Sequence, residues 1–148
     1  MLTFTFRLHR GLYTEPEYQF PGKKFKTTSA QLETFAGLLM PNDLLTNTVV
    51  VFGTTYTTNQ LVVTHISNSD MITVGEIQHA VIRNTQMLFL VTLHDAIRTK
   101  YGFFQACPTS KVECIDYKNL SDYKPLIKRD GNVCFRFLLH HHLPTPID

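Results

Sequence analysis

Between Val49 and Val91 the chain is crowded with Val, Ile, Thr, Phe and Tyr, and short polar turn signals break the run into pieces. Such side chains suit a pleated, half-buried surface, whereas branching at Cβ costs rotamer freedom in a helix. Strands therefore have to supply the frame. Val49-Val50-Val51-Phe52 is one apolar run, followed by Gly53 and a Thr-Thr-Tyr segment able to turn the chain. Gln60 to Ile66 is a second, and Asn68, Ser69 and Asp70 supply the turn after it. Asn84-Thr85 then reverses the chain into Met87 to His94. There Met87, Phe89, Val91 and Leu93 alternate with Leu88 and Leu90, which predicts a central strand covered on both faces.

Met71 to Arg83 carries a finer signal. Ile72 and Val74 share one phase of the two-residue period, while Ile77, His79 and Val81 share the other. The phase changes at Gly75-Glu76, which predicts a β-bulge that bends the strand there.

Elsewhere the pattern is more mixed. Leu2, Phe4, Phe6 and Leu8 alternate with Thr3, Thr5 and Arg7, as in a half-buried strand ended by Gly11. From Tyr13 to Lys26, with Pro16, Pro21 and Gly22, no period holds and an irregular arm is expected. Thr28 followed by Gln31 forms a capping box, and Leu32, Phe35, Ala36 and Leu39 recur at helical spacing, so a helix is predicted over 28–39, stopped by Pro41. Phe103 to Cys107 and Lys111 to Ile115 predict two strands broken at Pro108, Leu120 to Tyr123 a single helical turn closed by Pro125, and Val133 to Leu139 a last strand after the Asp130-Gly131-Asn132 turn. Together these predict one mainly β domain over 1–148. Residues 46–148 are expected to form a small, strongly bent β-barrel of the SH3/Tudor-like kind, and residues 1–45 an extension packed on it with one strand and one short helix.

A chain of 148 residues buries enough surface to need no metal or disulfide scaffold. Its three cysteines, Cys107, Cys114 and Cys134, are an odd number without a Cys-x-x-Cys pair, which argues for reduced thiols in the nucleus or cytoplasm. Met1 to Leu8 alternates where a signal peptide would be uniformly apolar, and no run approaches the ~18 apolar residues of a membrane span, so no membrane partner is expected. Phosphate-binding glycine loops are absent and Asp116, Asp122 and Asp130 lie in turn-like segments. Cys107 has no activating base or helix N-terminus beside it in the sequence. No enzyme and no cofactor is expected.

Three sets of residues are candidates for binding. Aromatic rings at strand ends can form a rim that grips a peptide or protein surface, and Tyr56, Phe89, Tyr101 and Phe103 are the rim residues selected on that ground. The same rings serve equally as core. Lys23, Lys24 and Lys26 are the densest basic cluster and form the alternative, a nucleic-acid contact, although a net charge of +2 provides no basic stripe and a solvated loop explains them as well. His140 and His142 share one side of a strand and form a further alternative, a metal-binding domain, although two imidazoles fall short of a zinc site and a polar strand end explains them as well.

The order Gly53-Thr-Thr-Tyr56, an apolar strand, Val74-Gly-Glu-Ile77 and Leu88-Phe-Leu-Val91, then Leu120-Ser-Asp-Tyr-Lys-Pro-Leu126 and a closing strand like Val133 to Leu139, resembles a β-rich C-terminal module of uncharacterised animal proteins of transposon-like origin. That module often carries an acidic or His-rich stretch where this chain has Ala96-Ile-Arg-Thr-Lys100. The resemblance implies no activity and no binding residues. The Gly-bent strand is also similar at fold level to Tudor-type chromatin-reader barrels, which implies a shape and leaves function open.

Overall fold

A computed structural model describes residues 17–127 and the backbone of the strand Cys134–Arg136. The predicted strand at Leu2 to Leu8, the Asp130-Gly131-Asn132 turn and the histidines His140 and His142 lie outside the described residues. The fold is mainly β, with antiparallel pairing throughout.

Three long strands form its frame: β7 (Met71–Arg83), β8 (Gln86–Arg98) and β9 (Phe103–Asp116). β7 and β8 are joined at Asn84-Thr85, where Asn84 takes the left-handed φ of 57° that a tight hairpin needs. The free edge of β9 receives β10 (Cys134–Arg136) opposite Phe103 to Gln105. The free edge of β7 is divided. β6 (Leu61–Asn68) pairs with Met71 to Glu76, whereas β3 (Leu44–Thr46) pairs with Ala80 to Ile82 and carries β2 (Phe25–Lys26) outside it. Among the described residues no pairing closes this seven-stranded sheet on itself. A second sheet has the order β1 (Tyr18–Gln19), β4 (Thr48–Val51), β5 (Thr54–Thr57). Its β4–β5 hairpin turns through Phe52 and Gly53, both at positive φ, 50° and 81°. Burial of Phe52 offsets the cost of holding a bulky side chain there.

Two faces of the large sheet follow from the alternation along β8. The front face carries Met87, Phe89, Val91 and Leu93, which pack with Val49, Val51, Phe52 and Tyr56 of the small sheet and with Tyr117 and Leu120. The back face is covered at one end by the segment around α1 (Ser29–Thr34), whose Leu32, with Phe35, Leu38 and Leu39 beyond it, packs on Leu45, Val81, Leu88 and Leu90. At the other end of the back face lie Leu61, Val63, Ile72, Val74, Ala96, Phe104, Ala106 and Leu126, all buried.

Several sequence expectations are refined. The capping box at Thr28 and Gln31 forms with both reciprocal bonds, 3.1 and 2.8 Å, but the helix stops at Thr34 because Gly37 takes a φ of 84° soon after. The bulge in β7 falls between Ile77 and His79, leaving Gln78 unpaired, and not at Gly75. Ile77 and His79 consequently face opposite sides of the sheet. Gly75 is needed for a steric reason instead, since a Cβ there would stand 2.7 Å from the Val91 Cβ and keep the strands from approaching. Pro108 does not split β9. The strand runs through it, and four β9 positions, Pro108 to Lys111, accompany the step from His94 to Leu93, with Ser110 at a φ of 63°. The turn expected at Leu120 to Tyr123 lies earlier, as a 3-10 turn at Tyr117–Asn119.

Candidate functional site

β8 shows where the covering layers end. Met87 through Val91 are buried without interruption, and Leu93 and His94 are still buried; beyond them Asp95 and Ile97 are exposed while Ala96 between them is not. The back face thus remains covered and the front face opens. Register identifies what the open half presents. His65, Thr73, Asp95 and Cys107 stand opposite one another across β6 to β9, and the next row is Met71, Ile97 and Gln105. Met71 and Ile97 are 44% and 51% exposed, large values for apolar side chains paired directly across two strands. The small sheet and the Tyr117–Asn119 turn stop short of these rows because Leu93 is the last front-face residue in their shared core.

Where the covered and open halves meet, a shallow groove of about 420 Å³ lies among Thr64, His65, Thr73, Leu93, Glu113 and Asn119. The groove is polar at its rim and apolar at Leu93. At the far end is the β8–β9 hairpin tip, closed by Thr99 N–H donating to the Phe103 carbonyl at 2.6 Å and by Gly102 at a φ of 86°. Tyr101 projects from this tip at 71% exposure, with the Lys100 ammonium 5.2 Å from its ring centroid. The Arg98 guanidinium lies 5.9 Å from the Phe104 ring. Groove, apolar row and cationic tip lie along the same three strands.

The four rim aromatics separate into two pairs. Tyr56 and Phe89 are core residues, 1% and 0% exposed, with ring centroids 5.3 Å apart, and the Tyr56 hydroxyl donates to the Tyr123 carbonyl. They offer a partner no surface, because the small sheet lies on top of β8 at that point. Tyr101 is exposed and Phe103 half-buried, both at the open end. Lys23, Lys24 and Lys26 are all exposed at and beside the edge strand β2, where Lys24 lies 5.7 Å from the Phe20 ring and Phe25 is 49% exposed. Sequence reasoning missed Met71 and Ile97. A usable signal existed, because Asp95 enters the apolar phase of Met87 to Leu93 and marks where cover ends.

Titratable groups outside this face have structural settings. On the back face the buried His94 places Nε2 3.3 Å from Glu76 Oε1, and Gln78 donates to Thr92 Oγ1 at 3.1 Å beside them. This polar seam separates the two back-face apolar clusters, and the groove on the front is lined by neither His94 nor Glu76. Burial lowers the pKa of His79 by disfavouring the charged imidazolium. Cys114 donates its thiol to the Leu38 carbonyl at 3.3 Å and burial pushes that thiol up, so it is a poor nucleophile. Cys107 is exposed. Among the described residues no group of three or more His, Cys, Asp or Glu side chains is placed to hold a metal ion.

Comparison with family models, with curated proteins and with solved structures finds no match to this chain.

Proposed function

We propose that this protein is a non-enzymatic interaction module that binds a peptide or protein surface across the open half of its front face, with Ile97, Met71, Tyr101 and Phe103 as the apolar contacts. The observation that carries the reading is the cross-strand pair Met71 and Ile97, half-exposed just beyond the point where the buried front-face run of β8, Met87 to Leu93, ends. Exposed apolar side chains grouped on a rigid element mark an interaction surface more often than scattered ones do. The bulges in β7 and β9 support a strongly bent sheet of the kind found in small SH3/Tudor-like barrels, and three cysteines without a Cys-x-x-Cys pair support reduced thiols in the nucleus or cytoplasm. Among the described residues no helix is long and apolar enough to cross a membrane.

The test is selection of binders from a random peptide library, followed by calorimetry. Enriched peptides should bind the native protein and lose about tenfold or more in affinity to Ile97→Lys and Tyr101→Ala, while the unfolding midpoint stays put. Peptides that bind regardless of both substitutions sink the reading.

A second reading is favoured by the exposed Lys23, Lys24 and Lys26 beside Phe25: a nucleic-acid contact at the β2 edge. It predicts binding to short DNA or RNA that weakens steeply with salt, and salt-insensitive or absent binding removes it.

A further inference from the structure

The open rows have a charge order of their own. On the front face of β8 the exposed Asp95 is followed by the exposed Ile97, while the exposed Arg98 belongs to the back face; Lys100 stands exposed in the turn beyond the strand, so an apolar residue lies between an anion and a cation. At strand rise Asp95 lies about 7 Å from Ile97 on one side and Lys100 up to about 10 Å on the other. Both charges are exposed, and the Lys100 ammonium lies 5.2 Å from the Tyr101 ring centroid.

Such an order is self-complementary. A two-fold axis lying in the interface and crossing the strands at Ile97 reverses direction along β8. It stacks the Met71 and Ile97 row of one copy on the same row of another and sets each Asp95 against the other copy's Lys100. We propose that the occupant of the open half-face is a second copy of this chain, forming a face-to-face isologous dimer with Met71 and Ile97 at its centre and two Asp95–Lys100 pairs at its margins. The inference rests on the reading of this face as an interaction surface and names its partner. The open rows span four strands and about four residues, roughly 19 by 13 Å or about 250 Å² a side, well under the ~800 Å² a side of a standard interface, so the association is weak.

Sedimentation equilibrium of the whole protein, from about 10 to about 500 µM, tests this directly. The native chain should show a reversible monomer–dimer equilibrium. Asp95→Lys and Lys100→Asp should each weaken it by about tenfold, because each puts like charges face to face twice, and the two together should restore it to within about threefold. Both positions are surface sites, so an unchanged unfolding midpoint separates lost association from lost folding. A monomer at every concentration overturns the dimer, as does association indifferent to the single reversals or not restored by the double. The peptide selection fails separately: library binders that still require Ile97 uphold the interaction face without the dimer, and binders that ignore it overturn the face itself.

Discussion

Arg83 grips Asp43 with two hydrogen bonds at once, Nε to Oδ1 at 2.9 Å and Nη2 to Oδ2 at 2.7 Å, and the same Nη2 donates to the Leu38 carbonyl at 2.8 Å. The Asp43 carboxylate also accepts from the Met40 amide at 2.7 Å, and Thr27 closes on the Asp43 carbonyl through its hydroxyl at 2.8 Å. One carboxylate thus fastens the loop after α1 to the end of β7. Cys114 of β9 reaches the same Leu38 carbonyl.

Removing that carboxylate should be costly. Asp43 is 1% exposed and the Arg83 side chain 24%, so Asp43→Asn should lose about 2 kcal/mol, less than for a fully enclosed pair because water still reaches the guanidinium. Burial alone would raise the Asp43 pKa, but hydrogen bonds from Arg83 and Met40 outweigh it and hold the carboxyl below its ordinary value. A depressed folded-state value contributes stability that is complete above the unfolded pKa, about 3.9, and is lost as pH falls through the folded one. Urea unfolding at pH 7 and again near pH 3 should therefore show the gap between native and variant narrowing in acid. A gap independent of pH would count against the clasp.

His79 should give a slope in the opposite half of the scale. Its pKa is lowered by burial, so the unfolded chain takes up a proton that the folded chain refuses. Stability should decline as pH falls below about 6.5 toward the folded-state value, and His79→Gln should flatten that decline. Thermal midpoints between about pH 7 and pH 5 decide it; equal slopes for native and variant would assign the decline to another group.

At Gly75 the prediction is steric. The new Cβ of Gly75→Ala would meet Val91 Cβ at 2.7 Å and Cγ2 at 2.8 Å, and the neighbouring strand has to move. A loss of about 1–3 kcal/mol is expected, partly recovered when Val91→Gly, which removes the opposing Cβ and both methyls, is added. Additive losses in the double variant would mean that the two side chains do not collide.

The aromatic residues should split by burial. Phe89→Ala and Tyr56→Ala should each cost about 3–5 kcal/mol, and Tyr56→Phe about 1 kcal/mol through the lost bond to the Tyr123 carbonyl. Tyr101→Ala should stay within about 0.5 kcal/mol of native. Denaturant midpoints for the four variants make the comparison, and a destabilised Tyr101→Ala would place that ring in a contact.

Strand positions and turns are legible in the sequence where local chemistry decides them. Asn84-Thr85, Asn68 to Asp70 and the Thr28 capping box all form where their residue types place them. The mainly β class follows from the density of Cβ-branched and aromatic residues. Face assignment is harder, because a Phe or Tyr in an apolar run suits a core or a rim equally. Tyr56 and Phe89 are distinguished from Tyr101 only by the second sheet, whose position over β8 depends on contacts far apart in the chain. The phase change in β7 signals a bulge, but two residues before its actual place. A small residue at a phase change suits either a bulge or a close approach, and Gly75 serves the second. The Asp43–Arg83 clasp joins residues forty apart and leaves no periodic trace.

The divided edge of β7 has a consequence for the order of assembly. β3 needs Ala80 to Ile82 and β6 needs Met71 to Glu76, so both are made by the ribosome before the strand that receives them. β3 and β6 must wait, and when β7 arrives its two halves, set apart by the unpaired Gln78, are claimed by different neighbours. A slip of one residue by either neighbour would turn its apolar side chains to the wrong face of the sheet. The meander of β6, β7, β8 and β9, the part of the sheet built from neighbours in sequence, is thus the template for folding, and β3 with the chain before it is a guest arriving on it.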